Sequence, residues 1–514
     1  MQYNNTDTII AIATGNTNAG IGVIRISGYN LINLIPLISN INNVQKIKPR
    51  YAHYVHIINY KQNNEILDTG ILLYFNAPYS FTGEDVIELQ VHGNQLVLQN
   101  IINLCLQYDC RLAEPGEFSK RAYLNNKIDL LQAEAIADLI NAETNLGAKA
   151  ASNVMQGSFS KYINAINERL INLRIYIEAS LDFPEEDIEF ILSYKVQEKL
   201  NIIIQELYNL LKSTKCGVII NNGINIAIIG KPNVGKSSLI NALTLQDTAI
   251  VTDIAGTTRD VIKEKVTING LACNILDTAG IRNTNDYVEQ IGVNKSIDTI
   301  KNADICLILI NAIDGLDDED IQIIKYIPDN TKKILVYNKT DLLNLDLESN
   351  SNNNSNNNSN NIDDVNSHII SMNTDNNDNI QKFNKLDNIL SVNISAKYHY
   401  GIQNLHNAIS NILGFKNSNL DNNNQNSKIS IKTDNHNTDN TINNSYDIFT
   451  ARTRHLNAVE LAIKHIEYGL ENWQNLEIIA EEVKLAHNEL ASITGKITSD
   501  ELLGKIFSSF CIGK

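Results

Sequence analysis

No stretch of about 18 uninterrupted apolar residues occurs in the chain, so no membrane-spanning helix is expected. The first residues, Met1-Gln-Tyr-Asn-Asn-Thr-Asp7, contain neither a basic segment followed by an apolar one nor an Arg- and Ser-rich amphipathic stretch. A secretory or organellar targeting peptide is therefore not expected, and a cytoplasmic location is. Cysteine is sparse and scattered: Cys105, Cys110, Cys216, Cys273, Cys306 and Cys511 form no Cys-x-x-Cys pair. That spacing argues against a zinc site or a disulfide framework and fits reduced thiols. Basic charge is also in deficit, with 42 Lys and Arg against 58 Asp and Glu for a net charge of −16. Phosphate contact is driven by Lys and Arg, so broad nucleic-acid binding by this chain alone is not favoured. A role on RNA would need a local basic patch or a basic partner.

What is present is a chain of 514 residues, 43% hydrophobic and 19% charged, too long for one core. Two Asn-, Ser- and Asp-rich tracts, residues 344–388 and 416–445, cannot bury enough apolar area to offset ordering entropy and read as disordered insertions. Residues 1–118 mix short β-type runs, such as Gly22–Ile26 and Val86–Val91, with turns. Residues 119–217 are helical in period, with Ala133, Ile136, Ala137 and Ile140 spaced at three and four. Residues 224–415 alternate apolar strands (Ile226–Ile229, Asn274–Leu276, Ile305–Ile310, Lys333–Tyr337, Ser391–Ile394) with helical segments, which implies a parallel sheet with helices on both faces. Residues 446–508 return to helical period. The economical reading is an α/β plus α architecture, a helical domain split by an inserted α/β domain.

Gly230-Lys-Pro-Asn-Val-Gly-Lys-Ser237 lies between a strand and a helix and fits the phosphate-loop pattern. Its backbone N–H groups can curl around phosphate oxygens, Lys236 supplies charge to the β- and γ-phosphates, and Ser237 offers a hydroxyl to Mg²⁺. Asp277-Thr-Ala-Gly280 ends a further strand, where the Asp would hold Mg²⁺ through water and Gly280 would meet the γ-phosphate. Asn338-Lys-Thr-Asp341 ends another, and its carboxylate can accept two N–H bonds from guanine that adenine does not offer. Ser395-Ala-Lys397 follows a fifth strand and suits a backbone contact to the base. These motifs, in order and each at a strand's C-terminal edge, define a guanine-nucleotide site. The residue after Gly280 is Ile281, where many GTPases place the Gln that orients the attacking water. A substitute must come from elsewhere, with Asp286, Glu289 and Gln290 as candidates, and no arginine finger is identifiable.

Several longer runs surround these motifs: Asp7-Thr-Ile with Gly20-Ile-Gly-Val-Ile-Arg-Ile-Ser-Gly28, Tyr79-Ser-Phe-Thr-Gly-Glu-Asp85, Pro115-Gly-Glu-Phe118 and Asp129-Leu-Leu-Gln-Ala-Glu134. Leu181-Asp-Phe-Pro-Glu-Glu-Asp187, Thr252-Asp-Ile-Ala-Gly-Thr-Thr-Arg-Asp260 and Cys511-Ile-Gly-Lys514 complete the set. Together they resemble the tRNA-modification GTPase family that acts on the wobble uridine, the MnmE (TrmE) family. The resemblance implies an N-terminal domain (1–118) that binds a tetrahydrofolate derivative and forms a homodimer. It implies a helical domain assembled from 119–217 and 446–514, with a Ras-like G domain (224–415) inserted into it. Nucleotide contacts would come from Asn233, Val234, Gly235, Lys236, Ser237 and Ser238, and from Thr252, Asp253, Ile254, Ala255, Gly256, Thr257 and Thr258. Asp277, Thr278, Ala279, Gly280, Asn338, Lys339, Asp341, Ser395, Ala396 and Lys397 would complete that site. Mg²⁺ would lie on Ser237 and Thr258, and K⁺, replacing an arginine finger, on Asn233, Thr252, Ile254 and Thr257. The water-orienting carboxylate falls on Glu289, which, with Lys236, would be catalytic.

Folate contacts fall on Arg25, Glu88, Lys127 and Lys514, and Cys511 is implied to matter for modification. The folate would be a 5-formyl- or 5,10-methylene-tetrahydrofolate. The sequence departs from the family at Gly15-Asn-Thr17, where Pro-Pro-Gly is usual, and at Asn94, where a second glycine is common. The implied reaction is carboxymethylaminomethylation of the wobble uridine of tRNA, in a heterotetramer with an FAD-carrying subunit of the MnmG (GidA) type. The nucleotide motifs alone fit equally a ribosome-assembly or other regulatory switch GTPase. The folate-type N-terminal runs and the Cys-x-Gly-Lys tail favour modification.

Overall fold

A computed structural model describes residues 7–15, 17–182, 196–244, 263–277, 299–343, 389–416, 430–431, 448–496, 500–508, 510 and 513. Contacts among them separate two units: Met1–Asn141 with Ala151–Asn209 and Asn457–Lys514, and Ala142–Ala150 with Leu210–Leu456.

The first unit opens with β1 (Thr8–Ile12), β2 (Ala19–Gly28), β3 (His53–Asn59), β4 (Glu65–Phe75), β5 (Asp85–Gly93) and β6 (Cys110–Leu112). They form one sheet in the order β3-β4-β5-β2-β1-β6, antiparallel except for the β1–β6 pair. The period of two along each strand sorts the side chains. Ile24 and Ile26 of β2 share a buried cluster with Leu72, Ile87 and Leu89, whereas Arg25, between them, pairs in register with Glu88 on the opposite face. The helix Gln95–Cys105 covers the apolar face with Leu98, Ile101, Ile102 and Cys105 at helical spacing. It starts where Asn94 accepts the Leu96 N–H at 2.9 Å, so the departure from glycine at this position is a helix cap. On the other face the helix Glu117–Leu124 inserts Phe118 among Ile9, Ala11 and Ala113.

The helical part of this unit includes Leu130–Ile140, Ser158–Asp182, Leu476–Thr494 and Asp500–Ser508. The first begins with a full capping box, Asp129 accepting from Gln132 N at 2.8 Å while Gln132 Oε1 accepts from Asp129 N at 3.0 Å. Leu476–Thr494, far along the chain, packs against Ser158–Asp182, so the helical domain is discontinuous. Phe507 and Phe510 close over Leu130, Ala133 and Ala137. Among the described residues no helix is long and apolar enough to cross a membrane.

The second unit carries β7 (Ile224–Ile229), β8 (Lys263–Ile268), β9 (Leu271–Asp277), β10 (Ile305–Asn311), β11 (Lys332–Asn338) and β12 (Leu390–Asn393) in the order β12-β11-β10-β7-β9-β8. All neighbours are parallel except β8 and β9, which form a hairpin. The expected parallel sheet therefore has one antiparallel edge strand. Ile226, Ile228, Leu307 and Leu309 face the helices Lys236–Thr244 and Ile402–Ile412 through Leu239, Leu243, Leu405 and Ile409. Ala227, Ile229, Cys306 and Ile308 face Ile300, Ala303, Ile323 and Ile327 on the other side. Strands buried on both faces must be apolar throughout, which is how β7 and β10 read. Within the second Asn-rich tract, expected to lack structure, Ser430–Ile431 instead pairs with Phe415–Lys416 in a two-residue ladder.

Candidate active site

Strand order reverses at β7, with β9 and β8 on one side and β10, β11 and β12 on the other. A crevice at the carboxyl ends of the strands at such a point is where open α/β sheets bind ligands. The phosphate loop leaves β7 there. Gly230 comes so close to β10 that a Cβ would lie 2.5 Å from Leu309 O. Gly235, at φ +101°, would place a Cβ 2.3 Å from Asn338 Nδ2. Asn233 between them sits at φ 64°, a conformation that Asn tolerates better than most residues. Lys236 opens the following helix, and its ammonium donates to Gly230 O at 2.7 Å and to Lys231 O at 2.9 Å, in the middle of the loop. Ser237 and Ser238 are exposed in the first helical turn.

The loops expected to meet the base arrive beside it from β11 and β12. Asn338 is 2% exposed and spends its two amide atoms on two loops: Nδ2 donates to Val234 O of the phosphate loop at 2.8 Å, and Oδ1 accepts Ala396 N at 3.0 Å. The Ser395 hydroxyl donates to Asp341 Oδ1 at 2.6 Å, which aims an otherwise exposed carboxylate. Thr340 donates from both its N–H and its hydroxyl to Ile394 O, at 3.3 and 3.0 Å. Lys339 takes φ 66° between these contacts, and Lys397 Nζ lies 5.0 Å from the Tyr398 ring. β9 ends on Asp277, with Ile228 as its register partner.

The structure thus assembles Asn233–Ser238, Asp277, Asn338–Asp341 and Ser395–Lys397 around one strand-end crevice. Thr252, Asp253, Ile254, Ala255, Gly256, Thr257, Thr258, Thr278, Ala279, Gly280 and Glu289 lie outside the described residues. The donors that are described fit a magnesium-bound triphosphate, since a hard cation takes oxygen ligands and Ser237 offers a hydroxyl at the helix start.

A second constellation lies in the first unit. Arg25 donates to Glu88 Oε1 from Nε at 2.9 Å and from Nη2 at 2.8 Å. Its guanidinium carbon sits 5.9 Å from the Phe81 ring centroid and 5.8 Å from that of Phe118. Lys127 donates to Pro78 O at 2.8 Å, and its side chain lines Gly83, so Arg25 and Lys127 flank the same loop. A charged pair bordered by aromatic rings suits a flat heteroaromatic ligand with carboxylate substituents. Cys511 and Lys514 lie outside the described residues. Gly513 is described, and its Cα is packed so closely that a Cβ would lie 2.3 Å from Ile12 O, which brings the tail to the end of β1.

Sequence reasoning missed the ion network beneath this constellation. Arg121 donates to Glu84 at 2.9 Å, to Glu117 at 3.0 Å and to Asp7 O at 2.8 Å. Arg111 donates to both Glu117 oxygens, at 2.8 and 2.6 Å, and Ser27 donates to Glu84 at 2.8 Å. Burial alone would raise the Glu117 pKa, but Arg111, the Glu114 N–H and Arg121 outweigh it and hold the carboxyl below its usual range. Asp7, Ser27, Glu84 and Glu117, each from one of the family-like runs, therefore meet in one network. The five described cysteines are all buried, and burial pushes their thiols up, Cys110 to about 11 and Cys273 and Cys306 to about 12. None of these five is a reactive thiolate at neutral pH.

The sheet order, the phosphate loop at the reversal point and the two base loops tied through Asn338 define a P-loop GTPase, whose nucleotide is GTP with Mg²⁺. Comparison with known proteins narrows the class. A family model for the MnmE helical domain matches residues 130–511, and one for the GTP-binding protein TrmE N-terminus matches residues 8–127. The chain is 38% identical over 517 residues to the tRNA modification GTPase MnmE of Hydrogenovibrio crunogenus, covering 100% of both. It is 40% identical to that of Francisella tularensis subsp. holarctica, covering 99% of each, and 39% identical to that of Dechloromonas aromatica, covering 99% of this chain and 100% of that one. The chain belongs to the MnmE family of tRNA modification GTPases.

Proposed function

We propose that this chain is a cytoplasmic, homodimeric, potassium-dependent GTPase that adds a carboxymethylaminomethyl group to C5 of the wobble uridine, position 34, of certain tRNAs. It acts with a flavin-dependent partner of the MnmG (GidA) type, which carries FAD, and uses a tetrahydrofolate derivative as the one-carbon source. The observation that carries this reading is the coexistence, in one chain, of the Asn338-tied nucleotide crevice and the Arg25–Glu88 pair between Phe81 and Phe118. A switch GTPase needs only the first.

Residues 1–118 supply folate binding and dimerisation, residues 119–217 and 446–514 the helical domain, and residues 224–415 hydrolysis. In the crevice Lys236 and the loop N–H groups neutralise phosphate charge, and Asp341, aimed by Ser395, reads the guanine N–H edge. Ser237 and Thr258 hold Mg²⁺, and Asn233, Thr252, Ile254 and Thr257 hold K⁺, which supplies positive charge where another GTPase would bring an arginine. Glu289 orients the attacking water in place of the residue that Ile281 displaces. In the first unit Arg25, Lys127 and Lys514 meet the glutamyl carboxylates, Glu88 meets the pterin N–H edge, and Cys511 serves the modification chemistry.

The test is nucleoside analysis of tRNA wobble uridines in cells lacking the chain, complemented with the parent or with Glu289→Ala. The modified nucleoside should vanish, return with the parent and stay absent with Glu289→Ala, while purified Glu289→Ala keeps its GTP affinity and loses turnover. Unchanged nucleosides in the deleted cells would remove the modification assignment and leave the GTPase class standing.

A further inference from the structure

We infer that Lys231, the second residue of the phosphate loop, is a positioning residue for nucleotide binding, acting through Lys236 and clamped by Asp317 and Asp320 of the segment after β10. The Lys231 ammonium makes a close ion pair with Asp317 and lies 3.2 Å from Asp320 Oδ2. Its side chain is 20% exposed and that of Asp320 only 2%. Asp317 caps the helix Asp318–Ile324, accepting from Glu319 N at 3.0 Å and Asp320 N at 3.1 Å, while Asp320 Oδ2 accepts from Asp317 N at 3.3 Å. Asp320, almost wholly buried, takes both the Asp317 N–H and the Lys231 ammonium on Oδ2, so its charge is balanced by a cation from outside the helix. Lys231 is that cation.

The link to the nucleotide is the Lys231 carbonyl. Together with Gly230 O it accepts the Lys236 ammonium, so the clamp on the Lys231 side chain fixes one of the two oxygens that place Lys236. The far end of the same loop is tied by Asn338 at Val234 O. A loop secured at entry and exit presents its N–H groups to phosphates already ordered, and the ordering entropy is spent at folding rather than at binding. Losing the entry clamp should cost affinity for every nucleotide that uses the loop, GDP and GTP alike.

The inference rests on the nucleotide-site assignment above. It is tested on the full chain with Lys231→Met, Lys231→Arg, Asp320→Asn and the Lys231→Met/Asp320→Asn pair, by titrating fluorescent GDP and measuring GTP turnover in Mg²⁺ and K⁺. Lys231→Met should weaken GDP binding and raise KM roughly tenfold, the scale of a lost charge-assisted hydrogen bond, with a smaller loss in kcat. Lys231→Arg should restore most of the affinity, and the double variant should bind no worse than the weaker single one. Should Lys231→Met fail to fold, Asp320→Asn carries the test, with the same rise in KM expected. Parent-like KM and GDP affinity in folded Lys231→Met, or in folded Asp320→Asn in that event, would overturn the clamp. Absence of GDP binding by the parent would overturn the site assignment and the clamp together.

Discussion

Gly235 shows how much of this site depends on a missing atom. Its φ of +101° is uncommon for any residue with a side chain, and the space a Cβ would need is held by Asn338 Nδ2 at 2.3 Å. Gly235→Ala must strain the loop or expel Asn338 from its bond to Val234 O. Either route costs about 1–3 kcal/mol, so nucleotide affinity should fall at least about fivefold with the fold retained. Titration with fluorescent GDP checks this, and an unchanged affinity would mean the loop does not need this geometry. The glycine itself was legible in the motif, but its cause was not. The obstacle is an amide 103 residues along the chain, and no local pattern announces that contact.

Among the elements, legibility followed burial. β7, β10 and β11 read as strands because both their faces are covered, so their sequences are nearly all apolar. β8, Lys263-Glu-Lys-Val-Thr-Ile268, was not anticipated, because an edge strand paired only with β9 can afford charge. The network on Glu84, Glu117 and Arg121 was hidden for another reason. Charged side chains are solvated by default, and Glu84 is 37 residues from the Arg121 that buries it. That network joins β2, the Tyr79–Asp85 loop and the helix Glu117–Leu124, and it makes a pH prediction. Because the folded pKa of Glu117 is depressed, its stabilisation is complete above the unfolded value of about 4.3 and is lost as pH falls through the folded one. Glu117→Gln should therefore unfold about 3 kcal/mol more easily at pH 7, with the gap from the parent closing as pH falls below the usual carboxylate range. Urea unfolding across that range decides it, and a gap independent of pH would point to packing instead of charge.

For the whole molecule, a helical part split by an inserted α/β domain could be read from the order of periodicities. The Asn-rich run Ser349–Asn361 falls in the crossover between β11 and β12, neighbours that pair in parallel with Ile334 opposite Leu390. Such a crossover needs a dozen or more residues, and far more remain without this run. Deleting 349–361 should leave GTP turnover within about twofold of the parent, or 0.4 kcal/mol in the barrier. A larger loss would assign the run a role in the site. The Asn338 amide sets a limit of another kind. One side chain grips the phosphate loop and, with its other atom, the loop proposed to meet the base. Inheritance therefore receives the two capacities as a single trait. A lineage drifting away from guanine through this position would surrender its hold on the phosphates in the same step, so retuning the base specificity must proceed through Asp341 and its neighbours instead.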